Sequence, residues 1–204
     1  MAKVNILRVI LVVVKKLNSL VFLFVSACVS ASPLTDAIHI QTDGNLVTNN
    51  GAPALDRKIL SLYGYEEIIE NYLFDEGGKN TSPDKNYRVI FRKAYKSVLY
   101  LEIEDEYVYR VSVLTKDIPY TTNTEKTIFV GMKVKTLIDS LHEYELLHGH
   151  EAGTYITSKS HNHMSFYTDC DISLNKTNIN SNSCVLNKIF IFNFKPAISW
   201  NKKK

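Results

Sequence analysis

"YRVIFRKAYKSVLYLEIEDEYVYRVSV", residues 87–113, decides the fold. Its side chains change character at every second position. Tyr87, Val89 and Phe91 oppose Arg88, Ile90 and Arg92; Val98, Tyr100 and Glu102 oppose Leu99, Leu101 and Ile103; Tyr107, Tyr109 and Val111 oppose Val108, Arg110 and Ser112. A period of two in aromatic and β-branched residues marks half-buried strands. The breaks at Tyr95–Ser97 and Glu104–Glu106 are short enough to be turns. The stretch therefore predicts a three-stranded antiparallel meander.

Outward from the meander the periodicity changes. After a loop containing Pro119, Val134, Leu137, Ile138 and Leu141 fall at i, i+3, i+4 and i+7, one face of a short helix. Before it, Pro53 and the spacing of Leu55, Ile59 and Leu62 predict a helix over 53–63 that stops at Gly64. Further strands are expected at Ala37–Gln41, Gly153–Thr157, His163–Thr168 and Val185–Phe194, while Tyr65–Phe74 reads equally as helix or strand. The expected architecture is α+β: one curved antiparallel β-sheet with two short helices packed on it.

The N-terminus carries a different message. Lys15 and Lys16 precede an apolar run, Leu20–Ala27, that ends in small residues, the order of an export signal. A membrane span needs roughly 20 apolar residues. Prolonging the run upstream would bury both lysines, at ~2.5–3.5 kcal/mol each. Val25-Ser26-Ala27-Cys28 resembles a bacterial lipobox, in which Cys28 is diacylated and becomes the new N-terminus. Cleavage after Ala31, at Val29-Ser30-Ala31, is the other reading; the position of Cys28 directly after the apolar run favours lipidation. Acyl chains contribute ~0.8 kcal/mol per buried methylene, enough for lasting attachment when two or three are present. Val29 and Ser30 come after the cysteine and no Asp stands there, which points to the outer membrane and its periplasmic face. Residues 1–27 are thus expected to be a lipoprotein signal peptide, with translation starting near Val14 and the first thirteen or so residues untranslated. Residues 28–48 are read as a lipidated N-terminus and tether, and 49–204 as a single domain.

Charge and cysteine content agree. The chain's formal charge is +3, but Lys3, Arg8, Lys15 and Lys16 are four of its 24 basic residues and no acid precedes residue 28. Residues 28–204 hold 20 basic against 21 acidic residues, so the electrostatic footprint of nucleic-acid binding is missing. With Cys28 lipidated, Cys170 and Cys184 remain, an even pair suited to an oxidising compartment. A disulfide closing that loop would contribute ~3 kcal/mol.

Residues 109–138, "YRVSVLTKDIPYTTNTEKTIFVGMKVKTLI", are similar to a module of Gram-negative envelope proteins. There a strand leads through D-I-P and a Thr-rich loop to a hydrophobic-G-x-x-hydrophobic-x-x-hydrophobic segment. With the lipobox, Thr42-Asp43-Gly44, the helix at 53–63 and the cysteine pair, the chain resembles the envelope-stress (sigma-E) regulated outer-membrane lipoproteins of unknown function. The likeness runs over 38–200 and is tightest at Arg110–Ile138. The segment Asn123–Thr127 and the histidine-rich stretch are peculiar to this chain. The resemblance implies an anchored envelope protein and supplies no catalytic residues.

The histidine-rich stretch is the one unusual chemical cluster. His142, His148, His150, His161 and His163 lie within residues 142–163. An H-x-H pair in a strand points both imidazoles to one side, so His148, His150, His161 and His163, with Glu151 as a substitute, form a candidate site for Zn²⁺ or Cu²⁺. The spacing matches no closed zinc module, and histidines in a polar loop near a sheet edge explain it equally. The sequence carries no G-x-S-x-G elbow, P-loop or H-E-x-x-H, so no enzyme is expected. Glu102, Glu104, Asp105 and Glu106 read as a solvated hairpin tip. Twelve tyrosines, several on alternating strand positions, suit a contact surface. The function expected is non-enzymatic: binding an envelope protein or cell-wall component, or supporting the envelope under stress. Metal binding and lysozyme inhibition are the alternatives.

Overall fold

A computed structural model describes residues 37–71, 85–149, 153–174, 179, 181–192 and 194–202. The leader, with Cys28, lies outside these residues, as do His150 and Glu151.

The predicted meander forms. β4 (Asn86–Lys93), β5 (Lys96–Glu104) and β6 (Tyr107–Val113) pair antiparallel, with Val89 opposite Leu101 and Leu101 opposite Val111. Both turns are two residues long, Ala94-Tyr95 and Asp105-Glu106. All four turn residues have positive φ, between 47° and 71°. That is the backbone of a type I′ hairpin, whose twist matches the flanking strands.

Around this core the fold departs from the single sheet expected from sequence. β1 (Ile38–Ile40), β2 (Leu46–Thr48), β7 (Tyr120–Thr121) and β8 (Thr127–Ile128) make a separate four-stranded sheet in the order β2-β1-β7-β8. It is antiparallel except where Ile40 pairs parallel with Tyr120. The second sheet has nine strands. It runs β3 (Glu66–Asn71), β4, β5, β6, β12 (Lys188–Phe192), β11 (Met164–Thr168), β10 (Thr154–Thr157) and β9 (Glu145–His148), and β13 (Ile198–Ser199) adds to β6. The class is α+β, with mostly antiparallel, open sheets.

Among the described residues, strand structure starts at Ile38, within the segment read as tether. Ile38, Ile40, Leu46 and Val47, expected in the tether, are buried, because the Asp43-Gly44 turn folds β1 onto β2. The ambiguous Tyr65–Phe74 resolves as strand over Glu66–Asn71.

The two helices differ in how well sequence locates them. α1 (Arg57–Leu62) starts at Asp56, not Pro53: the Asp56 carboxylate accepts from the backbone N–H of Lys58 and Ile59, a cap that contributes ~1 kcal/mol. Gly64, at φ +77°, ends it. Leu60 is the residue it buries; of the face expected from sequence, Leu55 is buried just ahead of the helix, Ile59 is half-buried and Leu62 is exposed. α2 (Val134–Ser140) buries Val134, Leu137 and Ile138 as its spacing requires, and Leu141 is buried just beyond it. Each such side chain contributes ~1.5–3 kcal/mol by leaving water. They join one hydrophobic core with Leu101, Val111, Ile189 and Phe166 from the larger sheet and Ile40 and Tyr120 from the smaller.

Candidate functional site

Strand alternation puts the core on one face of the nine-stranded sheet and a polar–aromatic array on the other. On that second face Arg88, Glu102 and Arg110 stand side by side on β4, β5 and β6. Glu102 is 2% exposed, so its carboxylate needs partners. It has them: Arg110 approaches through Nε at 2.6 Å and Nη2 at 2.8 Å, the Tyr109 hydroxyl donates at 2.7 Å, and Arg88 lies 3.5 Å away. Tyr109 reaches Glu102 because the β5–β6 register shifts after Glu102. Such a bulge re-aims a side chain. Rings flank the row: Arg88 lies over Tyr100, Arg110 over Phe190 and Lys188 over Tyr167, each 5.2 Å from the ring centre. Tyr155 tilts against both Tyr167 and Phe190. Glu102 is thus no part of a solvated tip. Asp105 and Glu106 make the turn, and Glu102 sits three pairs down a strand between two arginines.

The histidines go to separate places. His148 ends β9, half-exposed, with Nδ1 3.3 Å from Ser173 Oγ and 3.8 Å from an Asp171 oxygen. It pairs with Thr154, which pairs with Thr168 at the far end of β11 from His163. Four residues of strand, ~13 Å, intervene. His161 closes a 3₁₀ turn, Lys159–His161, so His161 and His163 do not alternate along a strand as expected. Among the described residues, no group of three or more His, Cys, Asp or Glu side chains is placed to hold a metal ion.

His161 and His163 instead fill the joint between the sheets. The His161 ring stands edge-on to Tyr120 of β7 at 5.5 Å, and its Nδ1 lies 2.9 Å from Ser160 Oγ. Burial holds its imidazole below the usual histidine value, and His163 and His142 push the same way. Burial also lowers His163, against opposing pulls from Asp43 and the Thr42 backbone. Burial pushes the Tyr120 hydroxyl up to about 12.

Beside His163 a cleft of about 720 Å³ opens between the β1–β2 turn and the segment after β12. Asp43, Asn45, Asn162, His163, Phe194 and Lys195 line it. A second cleft, about 490 Å³, meets it at Asp43 and continues past Thr42 and Thr121. Gly44 makes the close approach: a Cβ there would stand 2.5 Å from His163 Cδ2, and φ is +86°.

The expected cysteine pair is bonded, Cys170 to Cys184, with Cα atoms 5.7 Å apart. The bridge holds the 184–186 segment against α2, where the Cys184 and Leu186 carbonyls accept from Val134 and Gly131. Neither the Glu102 row nor the Asp43 cleft stands out in the sequence as a site. The signals are present: arginines at cross-strand positions either side of an alternating Glu, and an Asp-Gly turn between two apolar pairs.

No protein-family model matches the chain, and no curated protein matches it. A solved structure with a similar course is that of the uncharacterized protein yfeY from Escherichia coli. It is 14% identical, with 68% of this chain and 89% of that one covered and a TM-score of 0.44.

Proposed function

We propose that the chain is a non-enzymatic lipoprotein of the outer membrane, anchored through Cys28 with its domain facing the periplasm. It acts as a binding or envelope-supporting module of the sigma-E regulated kind that its sequence resembles. The location is supported first by the Cys170–Cys184 bridge, a bond that persists in oxidising compartments, together with the basic–apolar–small leader that ends in Val-Ser-Ala-Cys. Binding is supported by the partly exposed Tyr100, Tyr155, Arg88 and Arg110, which sit beside the buried Tyr167 and Phe190 and are of residue types enriched where proteins make contacts.

Mass spectrometry of the protein taken from the envelope tests the anchor. The N-terminal peptide is expected to begin at Cys28 and to carry the mass of its acyl chains. Cys28→Ser should leave the outer-membrane fraction. A mature N-terminus at Ser32, or a leader still attached, overturns the reading.

A further inference from the structure

We propose that the cleft at the β1–β2 turn is a saccharide-binding site for a short, uncharged, N-acetylated glycan. The inference rests on the reading of the chain as a binding module and gives that module a ligand class. Three kinds of observation lead to it.

The first is charge. Asp43 and Lys195 face the same cleft, and burial keeps His163 toward its neutral form. One carboxylate and one ammonium cancel, so neither an anion nor a cation gains net Coulomb energy there. A neutral ligand rich in hydrogen bonds fits that balance.

The second is the kind of polar group. Asp43, Asn45 and Asn162 present planar carboxylate and amide ends. Each offers two adjacent hydrogen-bonding atoms, the arrangement that matches neighbouring hydroxyls on a sugar ring, and an amide also matches an acetamido group. Phe194 is half-buried against the core and is among the residues that line the cleft, and its ring is the apolar group assigned to the C–H face of a pyranose. A few polar groups fixed around an apolar platform are what small-ligand sites use.

The third is preorganisation. Asp43 Oδ1 accepts from the Asn45 backbone N–H at 3.0 Å, and Oδ2 accepts from Asn45 Nδ2 at 2.7 Å. The pair is fixed before any ligand arrives, which lowers the ordering cost of binding. Gly44 seats the turn directly on His163, where any side chain would collide. The adjoining cleft past Thr42 and Thr121 extends the polar wall, giving room for more than one ring.

Saturation-transfer-difference NMR on the full chain, with tri-N-acetylchitotriose as the probe and cellotriose beside it, tests the proposal. Saturable transfer to the acetylated trimer is expected, and weaker transfer to cellotriose. Phe194→Ala and the exposed Asn162→Ala should each weaken binding about tenfold, the loss expected when a stacking surface or a hydrogen-bonding partner is removed. Unchanged melting curves for Asn162→Ala would separate that loss from unfolding. No transfer at about 10 mM probe, well above a millimolar dissociation constant, overturns the proposal. So does binding that both variants leave intact. Neither result touches the anchor, which is read from the mass of the N-terminal peptide.

Discussion

Removing the Glu102 carboxylate should destabilise the sheet more than removing any exposed acid near it. Glu102→Ala leaves Arg88 and Arg110 facing each other across the gap, without the carboxylate they share, and takes away the acceptor for Tyr109. Breaking a fully buried ion pair costs ~3–5 kcal/mol. Here Glu102 is buried, but the arginine side chains are 29% and 34% exposed, so water recovers part of their solvation. The expected loss is therefore at the low end, ~3 kcal/mol. For a domain of this size that lowers Tm by about 6–12 °C. With an m-value of about 2–3 kcal/mol/M, the urea midpoint falls by about 1–1.5 M. Trp200 reports the transition: it is the sole tryptophan, 3% exposed, and edge-on to Phe91 at 5.8 Å. Glu102→Gln keeps an acceptor and should lose less. Glu104→Ala, exposed two residues along the same strand, is the control, expected within about 0.5 kcal/mol of wild type. If Glu102→Ala and Glu104→Ala unfold at the same urea concentration, the row of charges does not hold the strands.

Four other outcomes are expected of the same structure. Reducing the Cys170–Cys184 bridge, or replacing both cysteines by serine, should cost ~3 kcal/mol from loop closure, read as a lower melting temperature with dithiothreitol than without. Stability should depend on pH through His161 and His163. Both bind protons more weakly folded than unfolded, so stability is full above the ordinary value of 6.5 and declines as pH falls below it. His161→Gln should flatten that slope in urea titrations run between pH 7 and pH 5. Gly44→Ala, at φ +86° and in collision with His163, should cost ~1–3 kcal/mol in the same titration. Replacing Ala94-Tyr95 by Asn-Gly should raise the urea midpoint by ~1 kcal/mol equivalent, because both positions hold positive φ without the residues that favour it.

The parts of the fold that the sequence discloses are those where packing imposes a period. Residues 87–113 alternate because one face of each strand meets the core, and α2 repeats at three and four because one stripe does. α1 defeats the same reasoning because a six-residue helix is too short for periodicity to choose a face. Its true start is set by the Asp56 cap and its orientation by the Arg57–Glu67 pair at 2.9 Å. The four-stranded sheet is hidden for another reason. Its strands are two or three residues long, and its joining contact, Ile40 with Tyr120, links segments far apart in the chain. An H-x-H pattern says nothing of the local backbone. His161 closes a 3₁₀ turn, and His148 sits at the opposite end of a hairpin. The cysteine pairing is legible only once Cys28 is set aside as the residue of the lipobox-like leader, since the two remaining thiols admit one partner each.

β12 has a temporal consequence. It is the strand that joins the β4–β6 meander to β9–β11, and it comes near the end of the chain. β13 then adds to β6, and the Trp200 amide donates to the Glu106 carbonyl while its own carbonyl accepts from the Tyr87 hydroxyl. A chain emerging from its N-terminus therefore holds β6 as an open edge until the final strands arrive, a state prone to wrong pairing and slow to resolve. Compaction waits for the whole polypeptide, and a chaperone that shields bare strands has its longest task in that interval.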